Sequence, residues 1–399
     1  MATAFKPSAP KPLPIPHGDF YDIEGMLSAD ERAILDKIRD FMNTKVAPVI
    51  NDYWVRDAFP FELIEPLKAL DIGHIPTSPD HSNLLKGLSA MEMARVDPSF
   101  TTFYGVHAGL AMGSIAMLGS DEQREKWLPP MARMEIFGCF GLTEPLVGSG
   151  TGGGLLTTAK RGGDSWVLNG EKLWIGNSTW CDVSIIWARD VDDNQVKGFI
   201  VENRKTPGFK VEKIENKMAL KVVQNGHITM KDCRIPEANR LQNANSFRDT
   251  ALVLRETRSG VGWMSTGVQM GAYEAAVNYA QKRLQFGKPI GSFQLVQDLI
   301  ARMLGNVTAS QTLMVRLEQL HQDGRLTDQH ASLAKVFTTA RMRETVAWAR
   351  EIHGANGIIV DNNVGRLFAD AEALYSYEGT FQMQNLIVGK SVTGFSAFV

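Results

Sequence analysis

The spacing of the apolar residues changes twice along this chain of 399 residues. From about Ser28 to Ile136 the apolar residues recur three or four positions apart, which predicts helices. From about Gly138 to Leu241 they tend to alternate with polar residues between Gly, Asn and Asp, which predicts strands. From about Ser246 to the end the spacing is helical again. A chain of this length and order is expected to form two or three subdomains rather than one core.

Local patterns place elements within these regions. Ser28-Ala29-Asp30-Glu31 is typical of a capped helix start. An amphipathic helix begins at Asp121, and we expect it to end before Pro129-Pro130. Asn169-Gly170, after the apolar run from Ser165, predicts a turn that ends a strand. The other predicted helices cover residues 90–95, 107–118, 262–285, 293–323 and 327–353, and the other predicted strands cover residues 183–187, 198–201, 209–214 and 227–230.

The predicted fold class is therefore α+β and mostly α. No helices are predicted between the strands of the middle region, so we expect antiparallel pairing rather than βαβ units. The long helices of the last region predict an antiparallel bundle. The predicted domains are a flexible N-terminal arm over residues 1–21, a helical domain over 22–137, a middle β domain over 138–245 and a helical bundle over 246–399.

Charge and cysteine content exclude several protein classes. The formal net charge of −2 does not suggest binding to nucleic acid or to a membrane surface. The three cysteines, Cys139, Cys181 and Cys233, are widely spaced and form no CxxC pair. That spacing argues for reduced thiols and against a zinc site or a disulfide framework. No apolar run reaches membrane-spanning length, and we predict a cytoplasmic protein.

Tyr377-Glu378-Gly379-Thr380, near the C-terminus, places a carboxylate at the end of an apolar helical region. A carboxyl group that loses water in such a place has a raised pKa and is a stronger base. A lone glutamate in a loop is more often an ordinary surface residue. Glu378 becomes the candidate base because other motifs accompany it.

The segment Gly148-Ser149-Gly150-Thr151-Gly152-Gly153 matches the GxGxxG pattern of dinucleotide-binding folds. Those folds need a buried strand before the motif and a helix after it. Here the motif leads towards a strand at Asp164-Ser165-Trp166, which argues against a nicotinamide enzyme of this kind. The glycines would still allow a backbone-rich loop to approach a ligand closely.

Five motifs occur together in this chain, and their order and spacing resemble those of the acyl-CoA dehydrogenase and oxidase superfamily. They are Thr143-Glu144-Pro145, Trp174-Ile175-x-Asn177, Arg283-x-x-Phe286-Gly287, Gly354-Ala355-Asn356-Gly357 and Tyr377-Glu378-Gly379-Thr380. The resemblance covers roughly residues 22–399 and is nearest to glutaryl-CoA dehydrogenases and plant short-chain acyl-CoA oxidases. It implies a middle antiparallel β-barrel domain, a C-terminal four-helix bundle and a homotetramer with one FAD per subunit, in fatty acid β-oxidation.

The resemblance also implies roles for single residues. Glu378 matches the base that removes the pro-R α-proton of an acyl thioester, while the β-hydrogen leaves as a hydride to flavin N5 and a trans-2-enoyl-CoA forms. A subset of the family carries its base just before an arginine, where this chain has Thr257 before Arg258. The implied substrate-binding residues are Ser149, Arg258, Thr101, Tyr377 and Gly379.

The residues that the resemblance implies for FAD form three groups. One group lies near the flavin ring, and a second reaches the FAD of a neighbouring subunit and its pyrophosphate. A third lies near the adenosine phosphates. The groups are, in that order, Phe140, Leu142, Thr143, Ser149, Trp174 and Gly176; Arg283, Phe286, Gln294, Gly354 and Ala355; and Thr380 and Gln382.

This chain departs from the family pattern at three places. The usual Gly-Ser-Asp is Gly148-Ser149-Gly150, in a loop that is about one residue longer. Gly176 stands where many dehydrogenases have Thr next to flavin N5, which opens the hypothesis of access for O2. Thr101 stands where glutaryl enzymes have an arginine for the distal carboxylate. Because an unpaired buried carboxylate is costly, we predict a neutral acyl chain.

The favoured function is an FAD-dependent dehydrogenase for short-chain neutral acyl-CoA, reoxidised by an electron-transfer flavoprotein. The alternative is an acyl-CoA oxidase that passes electrons to O2 and produces H2O2. A flavin monooxygenase or nitroalkane-oxidase relative is a third reading, but such relatives often lack the glutamate at position 378. A fourth reading, a scaffold without cofactor, is opposed by the retained Trp174, Arg283, Thr380 and Gln382.

Overall fold

The computed structural model describes residues 18–397. Residues 1–17, most of the predicted flexible arm, lie outside the described residues. The first part of the described chain is helical, and π-helical turns at Met42–Val46 and Gly105–Ala111 interrupt it. Its α-helices are α1 (Ala29–Phe41), α2 (Ala47–Arg56), α3 (Ile64–Lys68), α4 (Asn83–Val96), α5 (Pro98–Tyr104), α6 (Met112–Leu118) and α7 (Asp121–Ala132).

The capping residues explain where α1 begins. The Ser28 hydroxyl accepts a hydrogen bond from the Glu31 amide at 3.3 Å, and the Glu31 carboxylate accepts one from the Ser28 amide at 3.4 Å. This reciprocal pair satisfies two amides that the helix itself leaves without partners. The helix start predicted from the sequence is confirmed.

Helix α7 continues through Pro129 and Pro130, so the predicted end before them is wrong. A proline in a helix removes the hydrogen bond to the carbonyl four residues earlier. Those carbonyls belong to Glu125 and Lys126, both exposed residues. Water can therefore replace the missing bonds, and the last turn of the helix survives.

The middle of the chain forms a seven-stranded sheet in the order β1-β4-β2-β3-β7-β6, with β5 paired to β4. The pairs β2–β3, β3–β7, β4–β5 and β6–β7 are antiparallel. The pairs β1–β4 and β2–β4 are parallel, so the expectation of antiparallel pairing holds for only part of the sheet. The elements are β1 (Gly138–Gly141), α8 (Thr151–Gly154), β2 (Thr158–Gly162), β3 (Ser165–Gly176), β4 (Val183–Asp190), β5 (Val196–Glu202), β6 (Phe209–Lys213) and β7 (Asn225–Pro236).

Gly170 does not end a strand, contrary to the predicted turn at Asn169-Gly170. Strand β3 continues to Gly176, and its register against β7 shifts between Leu168 and Gly170. Gly170 has φ of 141°, and a Cβ there would lie 2.6 Å from the Cα of Thr157. The glycine therefore marks a bulge where two backbones approach closely.

The last part of the chain is a bundle of long helices. Helices α9 and α11 run in the same direction, and α10 runs against them; the chain enters α10 through a short hairpin. The elements are α9 (Phe247–Lys282), β8 (Leu284–Gln285), β9 (Lys288–Pro289), α10 (Gln294–Gln322), α11 (Asp328–His353), α12 (Val364–Ser376) and α13 (Phe381–Thr393). Among residues 18–397 no helix is both long and apolar enough to cross a membrane.

Buried polar contacts fix α12 against the other two regions. The Asp370 carboxylate accepts hydrogen bonds from the Trp54 indole at 2.9 Å and from the Leu220 amide at 2.6 Å. The Arg366 guanidinium pairs with Asp97, and both side chains are buried. These contacts join residues from all three regions at the helix that leads directly into Tyr377.

Candidate active site

The Tyr377–Gly379 segment forms a tight turn between α12 and α13. Glu378 and Gly379 both have left-handed backbones, with φ of 53° and 83°. A non-glycine residue rarely adopts such a conformation, so the neighbours must hold Glu378 in it. A Cβ at Gly379 would lie 2.2 Å from the Gln384 amide nitrogen, and the left-handed φ there would strain any other residue, so glycine is favoured.

The Glu378 carboxylate faces α9. The Thr257 hydroxyl donates a hydrogen bond to Glu378 Oε2 at 3.0 Å. Burial raises the pKa of Glu378, and the Thr257 hydrogen bond with the charges of Lys335 and Arg258 offset only part of that effect. Glu378 therefore has the raised basicity expected from its sequence context, and Thr257 donates to its carboxylate.

Side chains of α11 and α13 donate hydrogen bonds to three consecutive carbonyl groups of the turn. The Lys335 ammonium, on α11, donates to the carbonyls of Tyr377 and Gly379. The Gln384 amide donates to the carbonyl of Glu378 at 3.1 Å, and its own oxygen accepts from the Ser332 hydroxyl at 2.7 Å. Lys335 and Gln384 are not predicted from the sequence, since a lysine in an amphipathic helix is usually solvated.

Arg258 follows Thr257 on α9 and is largely buried. Its guanidinium lies 3.6 Å from the Asp328 carboxylate at the start of α11, and it also acts electrostatically on Glu378. The structure therefore brings together Glu378, Arg258 and Tyr377, three of the predicted site residues.

Tyr377 points towards the N-terminal helices. Its hydroxyl lies 3.5 Å from the Thr102 hydroxyl and 3.7 Å from the Met264 sulfur. Thr101, the predicted substrate residue, is only 1% exposed, and its hydroxyl donates to the Asp97 carbonyl of its own helix at 2.7 Å. Thr102 rather than Thr101 therefore presents a hydroxyl towards Tyr377.

The predicted flavin-ring residues lie on β1, β3 and the segment after β1. Phe140 and Leu142 are buried, and the Thr143 carbonyl accepts from the Leu173 amide at 2.9 Å, which ties the two segments together. Trp174 is 55% exposed at the end of β3, with φ of 67°. An exposed indole on a rigid strand end is a suitable surface for a flat ring system.

A buried ion pair supports these segments. The Lys172 ammonium lies 2.8 Å from the Glu144 carboxylate and donates to the Leu142 carbonyl at 3.0 Å. Glu144 also accepts from the amides of Leu156 and Thr157, at 2.6 and 2.9 Å. Burial alone would raise the pKa of Glu144, but Lys172 and these hydrogen bonds lower it. The ionised Glu144 carboxylate thus binds the chain before the glycine-rich loop to the chain directly after it.

The glycine-rich loop departs from the dinucleotide-binding arrangement. Ser149 is exposed, and the residues after it form only the single turn α8 before β2. Strand β2 then pairs with β3 in antiparallel fashion. The glycine-rich motif is therefore followed by a single helical turn and then a strand.

The remaining predicted cofactor residues fall at opposite ends of α11. Arg283, Phe286 and Gln294 are exposed around the β8–β9 hairpin, with Phe286 92% exposed. The turn at Gly354 and Ala355 lies at the same end, because Asn356 donates to the Tyr279 hydroxyl at 2.9 Å.

Thr380 and Gln382, at the start of α13, lie at the other end of α11 with Glu378. Lys335 on this helix and Gly354 directly after its end are 19 residues apart, which corresponds to about 28 Å at a rise of 1.5 Å per residue. The structure therefore separates the FAD residues into a set near Glu378 and a set far from it. Among residues 18–397, no three His, Cys, Asp or Glu side chains are grouped so that they could hold a metal ion.

Comparison with protein families gives matches along almost the whole described chain. The N-terminal, middle and C-terminal domains of acyl-CoA dehydrogenase match residues 28–135, 139–233 and 247–393. An acyl-CoA dehydrogenase of Bacillus subtilis (strain 168) is 31% identical over 366 residues, which cover 90% of this chain and 96% of the relative.

Two further proteins are similar over nearly their full length. Subunit CarC of the caffeyl-CoA reductase-Etf complex of Acetobacterium woodii is 31% identical over 376 residues, covering 91% of this chain and 98% of that subunit. The solved structure of a glutaryl-CoA dehydrogenase from Mycobacterium smegmatis in complex with FADH2 superposes with a TM-score of 0.91 at 30% identity, covering 95% of this chain and 98% of the other.

Proposed function

This chain belongs to the acyl-CoA dehydrogenase family, and on that premise we propose that it dehydrogenates a short-chain, neutral acyl-CoA to the trans-2-enoyl-CoA with Glu378 as the α-proton base. Membership makes the protein a flavoprotein oxidoreductase that acts on acyl-CoA. The observation that carries the finer proposal is the Glu378 carboxylate, buried enough to have a raised pKa and oriented by Thr257.

FAD is the cofactor of this family, and the residues present suit it. Trp174 offers an exposed ring at a rigid strand end beside Leu142 and Thr143, which is the surface that a flavin ring requires. When bound there, FAD supplies the acceptor for the hydride that leaves the β-carbon. Thr380 and Gln382 are proposed to hold its phosphates near Glu378.

Removal of an α-proton beside a thioester needs a base and a donor for the carbonyl oxygen. Glu378 supplies the base. Within the described residues the Glu378 N–H makes no backbone hydrogen bond, so it is available to the thioester oxygen. Base and donor thus come from the same residue, which fixes their relative position. Arg258 places a positive charge beside the carboxylate.

A neutral acyl chain is supported by the surroundings of Thr101. Its hydroxyl is bonded within its own helix, and Phe100 and Phe103 beside it are fully buried. The nearby Arg366 cation is already paired with Asp97. A distal carboxylate would thus find no free charge partner among these residues, and its burial would be costly.

The oxidase alternative rests on Gly176. A Cβ at this position would lie 3.2 Å from Val106 Cγ2 and 3.4 Å from Val223 Cγ2. The two valines therefore occupy part of the space that a threonine side chain would need, so the glycine does not simply open a path for O2. This packing supports a dehydrogenase, with an electron-transfer flavoprotein as the proposed acceptor; CarC, by its name, belongs to a complex with such a protein.

An oligomer is supported by the separation of the two sets of FAD residues. Arg283, Phe286 and Gln294 are exposed and lie at the other end of α11 from Glu378, Thr380 and Gln382. We propose that the far set contacts the cofactor of a neighbouring subunit, in the homotetramer that the sequence predicts. The cytoplasmic location stays a prediction from the sequence.

The test is anaerobic reduction of the bound flavin, followed in the visible spectrum, with butyryl-CoA and glutaryl-CoA. Bleaching by butyryl-CoA, faster than by glutaryl-CoA, is the expected result. Faster bleaching by glutaryl-CoA would refute the neutral acyl chain, and no bleaching by any acyl-CoA would refute the proposed reaction. Air is then admitted: slow return of colour is expected, and fast return with H2O2 would establish the oxidase.

A further inference from the structure

Lys335 is a fully buried lysine directly beneath the candidate base. It lies on α11, and its ammonium donates to the carbonyls of Tyr377 and Gly379, on either side of Glu378. An ammonium group in the protein interior is unfavourable unless it is paired and hydrogen-bonded. Its partners here are two carbonyl dipoles of one turn and the Glu378 charge.

Other buried lysines of the chain have different partners. Lys172 pairs with Glu144 at 2.8 Å, and Lys217 donates to the carbonyls of Leu220 and Val223. Those contacts hold loops of the middle domain. Among residues 18–397, Lys335 is the buried lysine whose carbonyl partners belong to the residues that flank the candidate base.

The planarity of the peptide bond makes these contacts directional. In a trans peptide the C=O and the following N–H point in opposite directions. The Tyr377 carbonyl points to the Lys335 ammonium, so the Glu378 N–H of the same peptide unit points away from it. The peptide unit that follows Glu378 is held through the Glu378 carbonyl, which accepts from the Gln384 amide at 3.1 Å, and the unit after that is held through the Gly379 carbonyl, which accepts from Lys335. Together these bonds stabilise the left-handed conformation at Glu378.

We propose that Lys335 is a positioning residue, which orients both the Glu378 carboxylate and the Glu378 N–H that binds the thioester oxygen. This inference rests on the proposed role of Glu378 as the base. Lys335 touches neither substrate nor flavin in this account. Its effect passes through the backbone of Tyr377–Gly379 and through its positive charge.

Among residues 18–397, few charged groups act on Lys335. Glu378 acts on it from the turn and Arg258 from α9; the Tyr377 phenol shares the turn, and α13 contributes the neutral amide of Gln384. Burial lowers the pKa of Lys335 to about 7, with Glu378 opposing and Arg258 reinforcing that effect. Removing the positive charge of Lys335 therefore makes the Glu378 carboxylate harder to ionise.

The experiment measures exchange of the α-protons of 3-thiabutyryl-CoA with D2O. Sulfur replaces the β-carbon in this thioester, so the α-proton can be removed but no hydride can follow. The variant is Lys335→Met in the full-length, flavin-loaded protein. The control is Thr338→Val, which removes another buried hydrogen-bonding group one turn further along α11.

We expect Lys335→Met to exchange at least about tenfold more slowly, since small misplacements of a catalytic group have effects of this size or larger. The pH of half-maximal exchange should rise. Lys335→Arg, which keeps charge and donors, should restore the wild-type pH dependence. Thr338→Val should match the wild type, and flavin content and melting temperature of Lys335→Met should stay close to it.

Three results would overturn the proposal. One is wild-type exchange and pH dependence in Lys335→Met. A second is slower exchange that merely follows lost flavin, with an unchanged pH dependence. If Lys335→Met does not fold, Lys335→Gln takes its place. The third result that would overturn the proposal is that neither variant folds, which would make Lys335 a determinant of folding only. If the wild type neither exchanges α-protons nor is reduced by acyl-CoA, the proposed function itself fails, whatever the variants do.

Discussion

Replacing Thr257 with valine removes the hydroxyl that faces the Glu378 carboxylate while keeping the shape of the side chain. A hydrogen bond to a charged group contributes about 1.5–3 kcal/mol. The Thr257 oxygen lies 3.0 Å from Glu378 Oε2 and also 3.1 Å from the Leu254 carbonyl, and it has only one proton to donate. We therefore take the lower end, about 1.5 kcal/mol.

Loss of the Thr257 hydrogen bond destabilises the ionised form of Glu378 and leaves the protonated form unchanged. Since about 1.4 kcal/mol corresponds to a factor of ten, the ratio of ionised to protonated Glu378 falls about tenfold at any given pH. Burial already raises the pKa of this carboxyl group, and the variant raises it further. Because the ionised form is the base, the reduction rate rises with pH, and its midpoint should move to higher pH.

The assay is stopped-flow reduction of the flavin by butyryl-CoA across a range of pH. Thr257→Val should be slower than the wild type at low pH and approach it at high pH. Thr257→Ser, which keeps the hydroxyl, is the matched control and should retain the wild-type midpoint. An unchanged or lower midpoint in Thr257→Val would refute the view that this hydrogen bond acts on the base.

Other predictions concern stability and the flavin side of the site. Arg366→Met leaves Asp97 charged and unpaired in the interior, so urea unfolding should show a loss of about 3–5 kcal/mol; a loss below about 1 kcal/mol would contradict the importance of this pair. Burial, followed by the charge of Asp97, raises the pKa of Asp370 from 3.8 to about 7. Between these two pH values the folded state binds this proton more tightly than the unfolded state, so the free energy of unfolding falls as pH rises from 3.8 through about 7. Asp370→Asn should lose less stability over that range, and an unchanged pH dependence in urea unfolding would refute this. Gly176→Thr should lower the unfolding free energy by about 1–3 kcal/mol through contact with Val106 and leave reoxidation by air slow; strong slowing of reoxidation relative to the wild type would support the oxidase instead.

The order of elements could be predicted because the spacing of apolar residues is a local property. The cap at Ser28 was predictable for the same reason. The survival of α7 through Pro129 depends on exposed carbonyls, and the bulge at Gly170 depends on the approach of Thr157. The parallel pairing of β1 with β4 depends on the path of the whole chain. None of these three is visible in a short window of sequence.

The candidate site also contains residues that local sequence predicts and residues that only the fold brings together. Glu378 could be proposed as the base from its motif, which is contiguous. Thr257 lies 121 positions away from it, and Lys335 lies 43 positions away, so that only folding brings them to the turn. A lysine at helical spacing carries no sign that it is buried. The contact of Thr102 with Tyr377 depends on how α5 is rotated, which apolar spacing fixes only roughly.

The most direct test of the central claim is flavin reduction by butyryl-CoA in Glu378→Gln. Glutamine keeps the size of the side chain but cannot accept the α-proton. The account predicts that the variant retains FAD and binds butyryl-CoA, while reduction slows by at least about 10²–10⁴-fold, as expected for loss of a general base. Normal reduction in this variant would place the base elsewhere and contradict the account.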